Sequence, residues 1–496
     1  MPSVAPPRVR LKAPACLQAR SRPRHQPAML RALAVRLVQT TRSRQSLRAT
    51  SADGLAAASR PNEPEHKSLQ TTNKPAPLSV LPLTNVMRSY FVTSISSSKI
   101  LLPPSLALTT WIANSNNALL NPDRNPILHY ILKKTFYAQF CAGETAAEAR
   151  KTIAGLKNIG FSGVILGYAK EAVLQDGETE SLSVKGADEA TKQEIASWTE
   201  GTLETVRIAA PGDFVALKFT GAGREALYHL SERKPPAPAL AEAVDNICDL
   251  ALSRNVRLLF DAEQASLQKG IDDWTLAYMR KYNAGKPALV YGTYQAYLKS
   301  TPSTLSGHLR EARDGGFSLG IKLVRGAYIG SDPRQLIHDT KANTDMAYDG
   351  IAEAVLRQKW QAPLVLTEKG SKEAFPNVSL VVASHNAVSV RKAKAIVASG
   401  EAKIDVAFGQ LQGMADEVSC TLIPTEAITK EVAAAAPECT RVRPYKYLVW
   451  GSTGECMKYL LRRAHENRDA VQRTKDGRDA MRAELWRRTK SVFGLA

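Results

Sequence analysis

The sequence predicts an α/β fold of the (βα)8-barrel class, preceded by an N-terminal helical arm. Three observations carry this. Eight short, β-favouring apolar runs follow one another between residues 162 and 450. Helical patterns fall between most of them, and charged residues recur where the runs end. Near-continuous apolar runs are what strands buried on both faces look like, and such strands belong to parallel sheets covered by helices. Eight strands over roughly three hundred residues sit somewhat above the usual barrel length of about 250. A doubly wound open sheet is the alternative reading.

Residues 81–159 form the arm, with helices expected near Val86–Ile95, Leu106–Asn114, Ile127–Cys141 and Thr145–Asn158. Thr145 can cap the last, and Ala149, Ile153 and Leu156 repeat at helical spacing. The strands are placed at Ser162–Tyr168, Asp213–Thr220, Arg257–Glu263, Ala288–Tyr294, Ser318–Tyr328, Val378–His385, Ile404–Leu411 and Tyr445–Trp450. Leu240–Ser253 and Leu336–Arg357 are among the helices between them. Glu171–Glu204 is acidic and polar and reads as an insertion, and Arg233–Ala239 as a stiff bend. The barrel spans 160–467, and 468–496 forms a basic amphipathic helix with Trp486, Phe493 and Leu495. Packing on the domain is its expected role, ahead of membrane contact.

Charge separates the first segment from the rest. Residues 1–52 hold eleven of the 66 Lys and Arg and none of the 47 acids, so the remaining chain carries only +8 of the net +19. That distribution argues against a nucleic-acid binder. An Arg-rich, acid-free segment with Ser, Thr and Ala reads as a mitochondrial presequence, and 53–80 as a Pro- and Ser-rich linker. The six cysteines show neither C-x-x-C nor Cys/His clustering, so no metal module or disulfide framework is expected. No apolar run reaches about eighteen residues.

Candidate chemistry sits at strand ends. These carry Lys218, Asp261, Lys322, Arg325, His385, Gln410 and Leu411, and Arg462 and Arg463 follow the eighth strand. Lys218 and Asp261, on successive strands, read as an ion pair. Tyr459, Arg462, Arg463 and Glu466 lie at i, i+3, i+4 and i+7, on one helical face. Two neighbouring guanidiniums form a fork suited to a carboxylate or phosphate. Each unpaired buried charge costs several kcal/mol, so this surplus of cations calls for anionic ligands. Gly221, Gly223 and Ala226 lack a partnering acid at a strand end and read as a plain strand-to-helix turn, not a dinucleotide fingerprint.

The motifs LLFDAEQ, VYGTYQAYLK, GIKLVRGAYI, TKANTDMAY, ASHN, FGQLQGM and YLLRRAHEN, in this order, resemble the FAD-dependent proline dehydrogenase family from about Phe214 to Asn467. The resemblance implies a distorted (βα)8 barrel that holds FAD over its strand ends and L-proline between flavin and final helix. It implies that Arg462 and Arg463 clamp the substrate carboxylate, with Lys218 assisting and Tyr447 and Tyr459 enclosing the ring. Asp261 would hold Lys218 and the active-site network, and Lys322 would sit near the reactive part of the flavin. Ala262, Gln295, Arg325, Gly326, Ala327, Ser384, His385, Leu411 and Glu466 would contact the cofactor. Lys341 and Thr344 would reach its adenine-side phosphates.

It further implies oxidation to 1-pyrroline-5-carboxylate, electrons passed to a membrane quinone, a matrix location and peripheral contact with the inner mitochondrial membrane. Family members often carry arginine where Lys322 stands, and the family's acidic gate falls near Tyr168 and Glu171. A tyrosine at 447 favours proline over hydroxyproline, because its hydroxyl leaves little room for a substituent. A hydroxyproline dehydrogenase on the same scaffold and a basic RNA- or lipid-binding barrel are the alternatives.

Overall fold

Eight parallel strands close on themselves in sequence order. In the computed structural model, β1 (Gly163–Tyr168) is hydrogen-bonded both to β2 (Phe214–Leu217) and to the last strand, β8 (Arg443–Trp450). Between them stand β3 (Arg257–Phe260), β4 (Val290–Gln295), β5 (Leu319–Val324), β6 (Val378–Ala383) and β7 (Val406–Leu411). The structure describes residues 76–115, 117, 119–169, 189–365, 373–424, 441–464 and 474–494, and the backbone of 465–466 and 471–473. The 1–52 segment and Glu171 lie outside these residues.

Before the barrel come α1 (Leu83–Ser97), α2 (Leu102–Asn114) and α3 (Pro126–Leu132), which runs through a π turn into Ala138–Phe140. Next is α4 (Ala146–Ile159), capped by Thr145 and ended by Gly160 at φ 115°, a left-handed turn that glycine adopts without strain. Around the barrel run α5 (Glu189–Ile208), α6 (Arg224–Ser231), α7 (Pro238–Ser253), α8 (Ala265–Tyr282), α9 (Thr301–Asp314), α10 (Lys341–Leu356), α11 (Ala387–Ala398) and the short α12 (Asp416–Cys420). Finally come α13 (Thr453–Glu466), directly after β8, and α14 (Val471–Val492).

The strands are apolar on both faces because both are covered. Ile165, Phe214, Leu259, Tyr291, Val381 and Tyr445 cluster together, and Phe214 meets Tyr291 and Tyr445 edge-on. A larger cluster, including Leu230, Ile247, Leu258, Leu309, Ile351 and Phe408, packs strands against helices. Each such side chain contributes about 1.5–3 kcal/mol on burial.

Four expectations need correction. The polar stretch 171–204 is no simple insertion, since helix α5 begins at Glu189 and buries Ile195 and Trp198. Its apolar residues recur at three- and four-residue spacing, which the acidic composition masked. The fifth strand ends at Val324, so Arg325–Tyr328 belong to the following loop. The end of the supposed linker forms a 3-10 turn, Pro77–Val80, that buries Leu78. Finally, α14 packs on the domain as expected, but through Met481 and Glu484 and not through Trp486 and Phe493, which are 63% and 71% exposed; Leu495 lies outside the described residues.

Candidate functional site

At the C-terminal ends of β3 and β5, Asp261 and Lys322 form a buried ion pair, with Lys322 Nζ 2.5 Å from Asp261 Oδ1. Asp261 therefore holds Lys322 and not Lys218, the partner expected for it. The reason is register. Lys322 pairs with Thr293 on β4, and Gly292 pairs with Phe260 on β3, so Asp261 and Lys322 stand level, two strands apart. Inward-facing residues of such barrels stack in layers drawn from alternate strands.

Tyr447 on β8 covers this pair. Its hydroxyl donates to Asp261 Oδ2 at 3.4 Å, and Lys322 Nζ lies 5.4 Å from its ring centroid. The hydroxyl is admitted by Gly167 on β1, where a Cβ would stand 3.1 Å from it. Above, α13 brings Tyr459, Arg462 and Arg463, with the Arg463 guanidinium 5.6 Å from the Tyr459 ring centroid. Lys218, Asp261, Tyr447 and Tyr459 line one small cavity of about 30 Å³. Tyr447 and Tyr459 also line the larger adjoining cavity, where Arg463 joins them, and Lys218 and Asp261 do not pair. The side chain of Glu466 lies outside the described residues.

The N-terminus of α13 is anchored from the arm. Glu144 Oε1 accepts from the backbone N–H and the hydroxyl of Thr453, at 2.9 and 2.8 Å. Asp123 Oδ1 accepts from Gly454 N at 2.9 Å. Burial pushes the Glu144 carboxyl up, but its bonds to Lys133, His129 and Thr453 outweigh this and hold it at about 2. Acids at a helix N-terminus are favoured by the dipole and the unpaired N–H groups there.

A second group lies toward β4–β7. Gln295, 3% exposed at the end of β4, accepts from Ala327 N through Oε1 at 2.9 Å, leaving its Nε2 donor without a partner. Arg325 pairs with Asp345 and donates to Ser389 Oγ at 3.2 Å. Lys341 also pairs with Asp345, at 2.6 Å, and is 74% exposed; Thr344 is half-buried beside it in α10. His385 Nε2 accepts from Leu411 N at 3.0 Å, which puts the ring proton of the neutral form on Nδ1. Gln410, also from the strand-end series, is buried and donates to the Ser384 carbonyl at 3.2 Å. Ala262 is buried immediately after Asp261, and a Cβ at Gly326 would run into the Tyr297 ring.

Two residues of this region were not singled out by sequence. Burial pushes the Tyr328 hydroxyl up to about 12, with Lys218 and Arg463 pulling it down and Glu263 and Asp261 pulling it up. Tyr328 therefore lies near Lys218, Asp261, Glu263 and Arg463, and its place in GIKLVRGAYI was the available signal. Asp345 was legible only as the residue four after Lys341. Tyr168, near the expected gate, packs its ring against Trp450 at a tilt of 34°, with centroids 5.1 Å apart.

The proline dehydrogenase family model matches residues 149–476. The chain is 29% identical over 486 residues to a probable mitochondrial proline dehydrogenase of Schizosaccharomyces pombe, covering 88% of this chain and 92% of that one. It is 30% identical over 407 residues to a hydroxyproline dehydrogenase of Xenopus laevis, covering 72% and 78%. Among solved structures, proline utilization A of Bdellovibrio bacteriovorus aligns with a TM-score of 0.55 at 16% identity, a likeness of fold. That alignment covers 77% of this chain and 38% of the other, so this chain spans well under half of that protein's length.

Proposed function

Because the chain belongs to the proline dehydrogenase family and is an oxidoreductase acting on proline, we propose that it oxidises L-proline to 1-pyrroline-5-carboxylate with FAD bound over the strand ends. In this reading it works in mitochondria, on the matrix side of the inner membrane with peripheral contact to it, and passes electrons to a quinone. The mitochondrial naming of the relatives supports the compartment. Among the described residues no helix is long and apolar enough to cross a membrane.

The observation that carries the reading is the meeting of Asp261–Lys322, Tyr447, Tyr459 and Arg463 around one cavity system at the strand ends. The residues fit a flavin dinucleotide. Gln295 offers a buried donor with no protein acceptor, and Gly326 keeps the backbone bare beside Tyr297. Arg325 and Lys341 supply cations suited to a polyanionic cofactor. Ala262, Gln295, Arg325, Gly326, Ala327, Ser384, His385 and Leu411 would hold it, with Lys341 and Thr344 toward its phosphates and Glu466 near α13. When bound, FAD supplies the two-electron acceptor.

The chain's own residues then bind and orient. Arg462 and Arg463 take the substrate carboxylate, Lys218 assists, and Tyr447 and Tyr459 enclose the ring so that C5 is presented to the cofactor. A neutral amine is the better hydride donor, and the cations Lys322 and Lys218 disfavour the ammonium form of the substrate. Asp261 fixes Lys322, and through Tyr447 it also fixes the wall of the ring pocket.

An absorbance spectrum of the purified protein tests this. It should show a flavin band that L-proline bleaches anaerobically; a folded, colourless protein that cannot be reconstituted with FAD refutes it. The Xenopus relative favours a second reading, hydroxyproline as substrate. The Tyr447 hydroxyl in the ring pocket argues for proline, and comparing kcat/KM for the two imino acids separates them.

A further inference from the structure

The chain between β5 and α10 runs for sixteen residues, 325–340, with one short 3-10 turn at Arg334–Leu336. Loops of that length inside a compact domain are usually functional. Arg325, Gly326 and Ala327, at its start, are among the expected cofactor contacts. Only two residues of the loop are buried, Ile337 and Asp332. Ile337 is an apolar plug that packs with Tyr297 and Leu298. Asp332 is a carboxylate, 7% exposed, in a loop whose other members are half-buried or open to water. Burying such a group is costly unless hydrogen bonds offset it, so its partners show what the burial achieves.

Each oxygen of Asp332 takes a donor from a different segment. Oδ1 accepts at 3.1 Å from Ala265 N, the first N–H of α8, which the side chain of Gln264 leaves uncapped. Oδ2 accepts from the hydroxyl of Tyr297, just past β4. Burial pushes that hydroxyl up, so it keeps its proton and donates. The Asp332 backbone N–H donates to the Tyr328 carbonyl at 2.8 Å and closes a turn within its own loop. The segments that follow β3, β4 and β5 therefore meet on one carboxylate. Both side-chain donors are neutral, so these bonds depend on direction and set where the segments stand.

What this clasp holds is the backbone of the expected cofactor site. The Tyr297 ring lies so close to Gly326 that an added Cβ there would collide with it. Tyr297 N donates to the Arg325 carbonyl at 2.7 Å, and Ala327 N donates to Gln295 Oε1 at 2.9 Å. With its oxygen committed to Ala327, buried Gln295 keeps Nε2 as a donor without a protein acceptor. If the Tyr297 ring moves, the Gly326–Ala327 backbone moves with it, and the Gln295 amide loses the bond that orients it. We propose that Asp332 is a positioning residue for the cofactor: through Tyr297 it fixes the Gly326–Ala327 backbone and so aims the Gln295 donor at the flavin. The proposal rests on the reading that FAD lies over the strand ends.

The test is a double-mutant cycle read as the Kd for FAD, from the quenching of flavin fluorescence on titration with the full chain freed of flavin. Asp332→Ala should raise that Kd by about tenfold, the loss expected when one oriented hydrogen bond is misaligned. Asp332→Asn still offers an oxygen to Ala265 N and an amide N–H to the Tyr297 oxygen, and should bring the Kd back to within about threefold of wild type. In a Gln295→Leu background, Asp332→Ala should change the Kd by less than about twofold, because the donor it aims is gone. Losses that multiply in the double variant overturn the proposal, since a merely structural role weakens the site whichever residue binds. So does an Asp332→Ala protein that binds FAD like wild type. If Asp332→Ala does not fold, Tyr297→Phe removes the bond but keeps the ring, and makes the same comparison. A wild-type chain that takes up no FAD refutes the reading of the site itself, and the proposal with it.

Discussion

Replacing Glu144 should loosen the helix that carries the arginine pair. Its side chain keeps 17% of its exposure and joins four groups: Lys133 at 2.6 Å, His129, and both the N–H and hydroxyl of Thr453. Its carboxyl sits at about 2, against about 4.3 for an unfolded glutamate, a difference worth about 3 kcal/mol. Allowing for solvent access reduces this to about 2 kcal/mol. Glu144→Gln should lose that amount. Glu144→Ala also leaves fully buried Thr453 without acceptors and should lose about 4 kcal/mol. For a unit this large, each kcal/mol moves the thermal midpoint by roughly 1–2 °C. The wild-type advantage should be complete above about pH 4.3 and fall away as pH drops toward 2, because the folded carboxyl is the stronger acid. Since α13 holds Tyr459, Arg462 and Arg463, KM for L-proline should rise several-fold with little change in kcat. Scanning calorimetry with steady-state kinetics decides it: a Glu144→Ala protein with wild-type midpoint and wild-type KM would refute the anchoring argument.

Other outcomes follow from the same geometry. Arg462→Ala and Arg463→Ala should each raise KM for L-proline by about 2–4 kcal/mol of lost charged contact, and an unchanged KM in both rejects the clamp. Lys322→Met leaves the buried Asp261 carboxylate without its cation, with only the Tyr447 hydroxyl donating to it, and should cost about 3–5 kcal/mol in a urea titration, much of it recovered by adding Asp261→Leu; equal stability of the single variant and wild type contradicts a stabilising pair. Burial pushes the Asp272 carboxyl up to about 7, so the folded protein holds a proton there that the unfolded chain releases near pH 4. Its contribution to stability therefore falls as pH rises from about 4 to about 7, by up to roughly 4 kcal/mol. Asp272→Asn should gain stability over wild type across that window, and a constant difference between pH 4 and 8 speaks against it. His308, held at about 4 by burial, works in the opposite direction below pH 6.5 in both proteins and so cancels from the comparison.

The strands and their order were legible in the chain itself. Strands buried on both faces must be apolar throughout, so they stand out without any partner being known, and the charged residues that interrupt them mark the mouth of the barrel. The one-face spacing of Tyr459, Arg462 and Arg463 followed from helical periodicity alone. Which charges meet did not. Sequence neighbourhood suggested Lys218 for Asp261, but closure sets Lys322 level with it from two strands away, and the height of a residue in a barrel depends on register across strands. Nor could the chain reveal that Glu144 and Asp123, some three hundred residues earlier, cap the arginine helix. The tertiary structure alone decided, too, that α1 and α2 turn one apolar face to a cavity and the other outward. Composition records that a side chain is apolar; only packing decides what, if anything, covers it.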